Sequence, residues 1–215
     1  TEALARMGAG LAHDFNNVLA SLLLRAQAIG KTREADAALQ SAAAALVHEA
    51  QFGARIVRQL MAFAKKEKPQ RIEIDLAESV TRARSLLESS LDGRCALTMT
   101  ATDPRPVVHA DPLHIEQILL NLVNNARDAH AKHVCIATAA DADEAVLTVV
   151  DDGEGMDEVT RVHAFDPVFS TKGNEGSGLG LASVQSLAQL NSGRVEVASA
   201  PGKGTTFTIR LPRTR

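Results

Sequence analysis

Four short segments of the chain hold side chains whose types and spacing suit work on a phosphate-bearing ligand. In one, the apolar residues Val149-Val150 run straight into Asp151-Asp152-Gly153-Glu154-Gly155-Met156. A carboxylate at a strand end can accept from an exocyclic amine, and glycine lets backbone come close to a ligand. An Asp-Gly corner is equally an ordinary turn, so this segment needs company. Company comes from Gly176-Ser177-Gly178-Leu179-Gly180-Leu181, a glycine cluster opening a helical pattern over 179–191. Free backbone N–H groups at such a helix start hold phosphate. The cluster reads GxGxG after a loop, so it is not a dinucleotide fingerprint. Nor is there a P-loop, because Gly30-Lys31-Thr32 has Arg25 where the first glycine belongs.

The third segment, Gln117 to Ala129, puts Asn121 and Asn125 four residues apart on one helical face, while Leu119, Leu122, Val123 and Ala126 take the core side. Asn is a mediocre helix former, so three in five positions ask for a reason beyond structure. Amide oxygens suit Mg2+, which needs few protein ligands when phosphates supply the rest. The fourth is Leu11-Ala12-His13-Asp14-Phe15-Asn16-Asn17. With Phe15 at heptad position a and Val18 at d, His13 falls on the solvent-facing f position, beside Asp14 and one turn from Asn17. That is an accessible imidazole nucleophile with an acid and an amide next to it, although most exposed helical histidines are only surface residues.

The elements that must position these groups fall into two parts. Over 1–68 the chain has no proline, and it reads as two helices. Gly8, Phe15, Leu22 and Ile29 recur every seven, with Leu4, Leu11 and Val18 on the companion position. Gly30-Lys31-Thr32-Arg33 breaks the pattern, and a second seam follows: Leu39, Leu46, Gly53 and Leu60 with Ala43, Ala50, Val57 and Ala64. The expected unit is an antiparallel helical hairpin, which completes its core as a four-helix bundle in a homodimer. Lys65 to Pro69 reads as a charged linker. Beyond it the period changes. Strands are predicted over 71–75, 96–102, 134–138, 145–150, 195–198 and 205–211, and helices over 111–131 and 179–191. The fold class is α+β, a hairpin over 1–68 followed over 69–215 by an α/β sandwich with helices on one face of a mixed sheet.

Composition excludes several alternatives. Lys+Arg of 23 against Asp+Glu of 26 gives a formal charge of -3, without the basic bias of a nucleic-acid binder. Aromatics are 3% with no Trp or Tyr, so base-stacking platforms are scarce. The longest apolar run, Ala42 to Val47, is six residues; a membrane span takes about 20, so no membrane contact is expected of this stretch. Cys95 and Cys135 lack metal-site spacing and read as buried reduced thiols of a cytoplasmic protein. A start at Thr1 within a helical pattern reads as a piece of something longer.

Together the four segments resemble the sensor histidine kinases of two-component signalling. His13-Asp14-Phe15-Asn16-Asn17 is similar to that family's phosphoacceptor box, Asn121 to Ala129 to its asparagine box, and Asp151 to Gly155 to its DxGxG box. Phe165-Asp166-Pro167-Val168-Phe169 is similar to its phenylalanine box and Gly176 to Leu181 to its second glycine box. The resemblance implies a Bergerat (GHKL) ATP-binding domain over 69–215, and over 1–68 a dimerisation and phosphotransfer domain. It implies that His13 takes the γ-phosphoryl group of ATP, with Asp14 orienting the ring and accepting its proton. Asn17 would serve dephosphorylation of a response-regulator receiver domain, the partner that takes the phosphoryl group. Asn125 would be the Mg2+ ligand, Asn121 a phosphate-side neighbour and Asp151 the adenine acceptor. Gly153, Gly155, Gly176, Gly178 and Gly180 would line the nucleotide, and Lys172 or Arg127 would supply the cation near the phosphates. The chain departs from the pattern at Val168, where an aromatic is more usual, and in the short stretch between Phe169 and Gly176. Two other readings stand beside this one: a phosphotransfer and docking module with a silent nucleotide site, and a gyrase-type ATPase.

Overall fold

The computed structural model describes residues 69–102, 105–167, 169–171 and 178–214, together with scattered positions between 20 and 53. The chain divides into two units, Thr1–Glu67 and Lys68–Arg215. In the first, the described positions from Ala20 to Gly53 are helical. Ala43 and Ala50, on one heptad position, are buried, whereas Leu22, Leu24, Leu39 and Leu46 are exposed. The expected hairpin turn at 30–33 and the residues His13, Asp14 and Asn17 lie outside the described residues.

The second unit runs β1 (Ile72–Asp75), α1 (Leu76–Ser90), β2 (Ala96–Ala101), β3 (Val107–Ala110), α2 (Pro112–Asp128), β4 (His133–Ala140) and β5 (Glu144–Asp151). It continues with α3 (Glu158–His163), α4 (Gly180–Leu190), β6 (Arg194–Ser199) and β7 (Thr205–Pro212). Helix α1 starts because Asp75 accepts from the amides of Ala77 and Glu78 at 2.8 and 3.3 Å, a side-chain cap for N–H groups that the helix leaves open. Leu76, Val80, Ala83 and Leu87 then form its single buried stripe. Helix α2 starts the same way, with Asp111 capping Leu113 at 3.0 Å and Pro112 in the first turn. Its buried stripe is Ile115, Ile118, Leu119, Leu122, Val123 and Ala126. Each of its large apolar members contributes about 1.5–3 kcal/mol by leaving water. The helix ends where His130 turns into the left-handed region at φ 58°, the conformation that stops a helix.

Five strands form a mixed sheet in the order β2-β4-β5-β7-β6, and β1 and β3 pair separately and antiparallel. Only β2 and β4 run parallel; the other pairs of the large sheet are antiparallel. Strict alternation sends Val134 and Ile136 of β4, Ala145, Leu147 and Val149 of β5, and Phe207, Ile209 and Leu211 of β7 into one core cluster with the stripes of α1, α2 and α4. The opposite positions are half-buried or exposed. An α/β sandwich built on a mixed sheet was expected, and it is what forms.

Three elements were not expected. Helix α1 escapes notice because only four of its residues are buried within a polar sequence. Strand β3 is four residues long, and α3 has six residues with none buried, so neither carries a readable period. The first expected strand forms, but its partner is β3 rather than the large sheet. Cys95 is buried as expected, and burial pushes its thiol pKa up. Cys135 is only half-buried, because its position on β4 points away from the helices.

Candidate functional site

Alternation along β5 explains the first functional group. Ala145, Leu147 and Val149 point inward, so Asp151 takes the next inward position and is only 6% exposed. A buried carboxylate needs hydrogen bonds in place of water. Its Oδ1 accepts from the Gly153 amide at 2.9 Å, and the Thr205 amide also donates to the carboxyl group. Burial nonetheless pushes its pKa above the ordinary aspartate value, against those two hydrogen bonds, and the charge of Asp152 adds to the rise. The neighbouring Asp152 behaves oppositely. It accepts from His133 Nδ1 at 2.7 Å and from the Lys132 and His133 amides, and its pKa falls to about 2.

The glycines after Asp151 are needed for packing. A Cβ on Gly153 would lie 2.7 Å from the Ala129 carbonyl oxygen, and Gly155, at φ 69°, would drive one to 2.1 Å from the carbonyl oxygen of Ala200. They let the loop lie between the end of α2 and the β6–β7 turn. The Glu154 amide bonds the Ala129 carbonyl at 3.0 Å, and the Gly202 amide bonds the Glu154 carbonyl at 2.6 Å.

The three asparagines of α2 separate by role. Asn124 faces α1 and is hydrogen-bonded to the Ser90 hydroxyl. Asn121 is half-buried. The amide nitrogen of Asn125 is buried with no hydrogen-bond partner, an arrangement that costs free energy unless a ligand completes it. Its Oδ1 looks at the start of α4, 3.9 Å from where a Cβ on Gly180 would stand. Helix α4 begins at Leu179-Gly180 with no side-chain cap, and Gly178 before it has φ 62°. Backbone amides at a helix start point outward, where an anion can meet them. Asn125 and Gly180, distant in sequence, are thus brought together. Lys172 and Gly176 lie outside the described residues.

Arg127 is committed elsewhere: its Nη1 donates to the Ser90 carbonyl at 2.9 Å, and Nε and Nη2 both donate to Asp128. Of the remaining histidines, His130, His133 and His163 each meet a carboxylate at the surface. His114 is half-buried against Asn191. Among the described residues no cluster of three or more His, Cys, Asp or Glu side chains could hold a metal ion. The Asn125 amide oxygen suits a phosphate-borne Mg2+, and its unpaired N–H donors suit a phosphate oxygen rather than the cation.

Sequence reasoning missed Ser199, Gly204 and Thr205. Thr205 of β7 is buried and pairs with Asp151 of β5, and a Cβ on Gly204, at φ 70°, would lie 1.9 Å from the Asp151 carbonyl oxygen. The signal was available in a polar Thr205 at an inward position next to a Gly-Lys-Gly turn, which reads first as a hairpin.

A mixed sheet covered by helices, with a buried strand-end carboxylate and an uncapped glycine-led helix, defines an ATPase-type nucleotide domain. Residues 110–215 match the family of histidine kinase-, DNA gyrase B- and HSP90-like ATPases, and this part of the chain belongs to it. The chain is 34% identical over 98% of its length to the sensor histidine kinase ZraS of Escherichia coli (strain K12), covering 46% of that protein. It is 30% identical over 99% of its length to the sensor kinase CckA of Brucella abortus (strain 2308), covering 24% of that protein. The chain therefore spans about half, or less, of the curated relatives it matches. In fold it is similar to full-length ShkA crystallised with AMPPNP, with TM-score 0.77 and 23% identity over 98% of this chain and 46% of that one. It is also similar in fold to the histidine kinase AdeS of Acinetobacter baumannii, with TM-score 0.65 and 20% identity over 93% of this chain and 97% of that one. The resemblance to sensor histidine kinases read from the motifs holds over nearly the whole chain.

Proposed function

We propose that the chain is a histidine autokinase core: it binds ATP with Mg2+, moves the γ-phosphoryl group to His13, and passes it to an aspartate of a response-regulator receiver domain. The observation that carries this reading is Asn125, whose amide oxygen lies beside the glycine-led start of α4 while its amide nitrogen is buried without a partner. In this reading Asp151 accepts the adenine amine, and the backbone of Gly153, Gly155, Gly176, Gly178 and Gly180 lines the nucleotide. Asn121 stands on the phosphate side. Because Arg127 is held by Ser90 and Asp128, we assign the phosphate-side cation to Lys172. Asn125 holds Mg2+, which when bound neutralises charge on the phosphates. Phosphoryl transfer asks mainly for positioning and charge neutralisation. His13 supplies the nucleophilic ring nitrogen, Asp14 orients the ring and accepts the proton of its other nitrogen, and the Asn17 amide orients water for dephosphorylation of the receiver.

We assign 1–68 to dimerisation and phosphotransfer and 69–215 to ATP binding. Leu22 at 50% and Ile29 at 39% exposure, seven residues apart, favour a homodimer, as do Leu39 at 46% and Leu46 at 51%. No described helix is long and apolar enough to cross a membrane, and use of ATP fits the cytoplasm. Incubation with labelled ATP and Mg2+ should give an acid-labile, alkali-stable phosphoprotein, lost in His13→Ala while ATP binding persists. Steady ATP turnover with no phosphoprotein would instead mark a gyrase-like ATPase, and label retained in His13→Ala would place the acceptor elsewhere.

A further inference from the structure

Three polar residues stand side by side on the helix-covered face at one end of the large sheet. Asp151 of β5 pairs with Thr205 of β7, and Thr205 with Ser199 of β6. Asp151 and Thr205 are 6% and 7% exposed. Ser199 Oγ has three neighbours: the Met156 amide at 2.8 Å, the Gly204 carbonyl oxygen at 2.9 Å and Thr205 Oγ1 at 3.0 Å.

Proton bookkeeping fixes the direction of each bond. A serine hydroxyl has one proton and two acceptor positions. The Met156 amide can only donate, and the Gly204 carbonyl can only accept. The Ser199 proton therefore goes to Gly204, and Ser199 Oγ accepts from both the Met156 amide and the Thr205 hydroxyl. With its proton committed to Ser199, Thr205 Oγ1 offers its lone pairs alone. The Asp151 carboxylate beside it also accepts, so the end of this row presents acceptors and no hydroxyl proton.

We infer that Ser199 is a specificity-determining positioning residue: by holding the Thr205 proton, it keeps the base pocket acceptor-only and so selects a 6-aminopurine over a 6-oxopurine. The inference rests on the reading that Asp151 receives the base. An adenine amine meets two acceptors, whereas a guanine carbonyl would face lone pairs with no proton between. A free Thr205 hydroxyl could rotate and donate to that carbonyl. Ser199 also ties the loop after Asp151 to the β6–β7 turn through Met156, so one side chain fixes both the polarity and the frame of the pocket.

The test is calorimetric binding of ATP and of GTP, each with Mg2+, to the full chain and its variants. Ser199→Ala should weaken ATP about tenfold, the weight of one or two buried hydrogen bonds, and should narrow the preference for ATP over GTP. Ser199→Thr keeps the hydroxyl and should retain the preference. Thr205→Val keeps the shape, loses the acceptor, and should weaken ATP without helping GTP; it carries the test if Ser199→Ala does not fold. Asp151→Asn is run alongside. If Asp151→Asn weakens ATP but Ser199→Ala leaves both affinities within twofold, the Ser199 inference is overturned and the site stands. If Asp151→Asn itself leaves ATP affinity intact, the base lies elsewhere and both readings fall.

Discussion

Helix α2 carries polar groups at both ends, and the two ends are finished differently. At its start Asp111 is 7% exposed, caps Leu113, and accepts from the Gln70 amide at 2.8 Å. The Asp111 amide in turn donates to Asn191, itself 2% exposed, whose own amide nitrogen bonds the Leu187 carbonyl. Arg71 reaches the same corner through Ser192 and the Leu190 carbonyl. Near the other end, four turns on, the Asn125 amide nitrogen is buried and unpaired. Arg71 Nε and Thr138 Oγ1 are buried without a partner as well, so what distinguishes Asn125 is its place beside the glycine-led start of α4. One helix thus joins a largely paired corner to the candidate site.

That contrast can be broken most sharply at the site end. Asn125→Ala should lower phosphoryl transfer on the order of 10²-fold or more by removing the metal-side amide, yet leave the unfolding midpoint nearly unchanged, since it deletes an unsatisfied group in favour of a better helix former. Equal losses of activity and stability would make Asn125 a scaffold residue. The paired end should respond in reverse. Asp111→Ala removes a helix cap and strands the Gln70 amide, a loss of about 2–4 kcal/mol in denaturant unfolding, with ATP affinity of the folded protein unaffected.

Asp151 shares both characters, being paired within the chain and still assigned to the ligand. Asp151→Asn should weaken ATP by about 1.5–3 kcal/mol, because an amide can turn its NH2 toward the adenine amine and lacks the charge-assisted acceptor. Isothermal titration at neutral pH measures this directly. The smallest effect is an acid one. Asp152, with a folded pKa of about 2 against a reference of 3.8, stabilises the fold above the reference value and loses that contribution as pH falls toward 2. Asp151, shifted upward by burial, takes its proton first. On acidification ATP affinity should therefore decline before stability does. Denaturant unfolding of Asp152→Asn should show a flatter acid limb between about pH 4 and pH 2. Coincident loss of binding and folding would mean the two carboxylates titrate together.

Much of this was legible in the chain itself, and what was not has a physical cause. The stripe of α2 and the alternation of β5 and β7 are strong because those elements bury one face completely; they delivered the sheet and the positions of Asn125 and Asp151. Asn124 sits in the same run as Asn121 and Asn125, yet it turns to Ser90 on α1, and α1 had not been foreseen. Arg127 and Lys172 could not be told apart for the same reason, since the Ser90 carbonyl that holds Arg127 belongs to that helix. Gly153 and Gly155 were read for their approach to a ligand, but their closest neighbours are carbonyls of this chain, from Ala129 and Ala200. Such contacts join residues far apart in sequence, and local spacing says nothing of them. Ser199 and Thr205 were overlooked because a short turn between two strands looks complete as a hairpin.

The strand order has a consequence in time. Strand β7 lies between β5 and β6 in the sheet, yet it is the last described strand in chain order. A growing polypeptide therefore offers Asp151 to solvent for more than fifty residues of synthesis before Thr205 arrives to pair with it. Until β7 inserts, β5 and β6 are unjoined edges, and the pocket lacks one wall. On the proposed reading, a chain cut short within this span has Asn121, Asn125 and Asp151 but lacks the Thr205 wall of the base pocket.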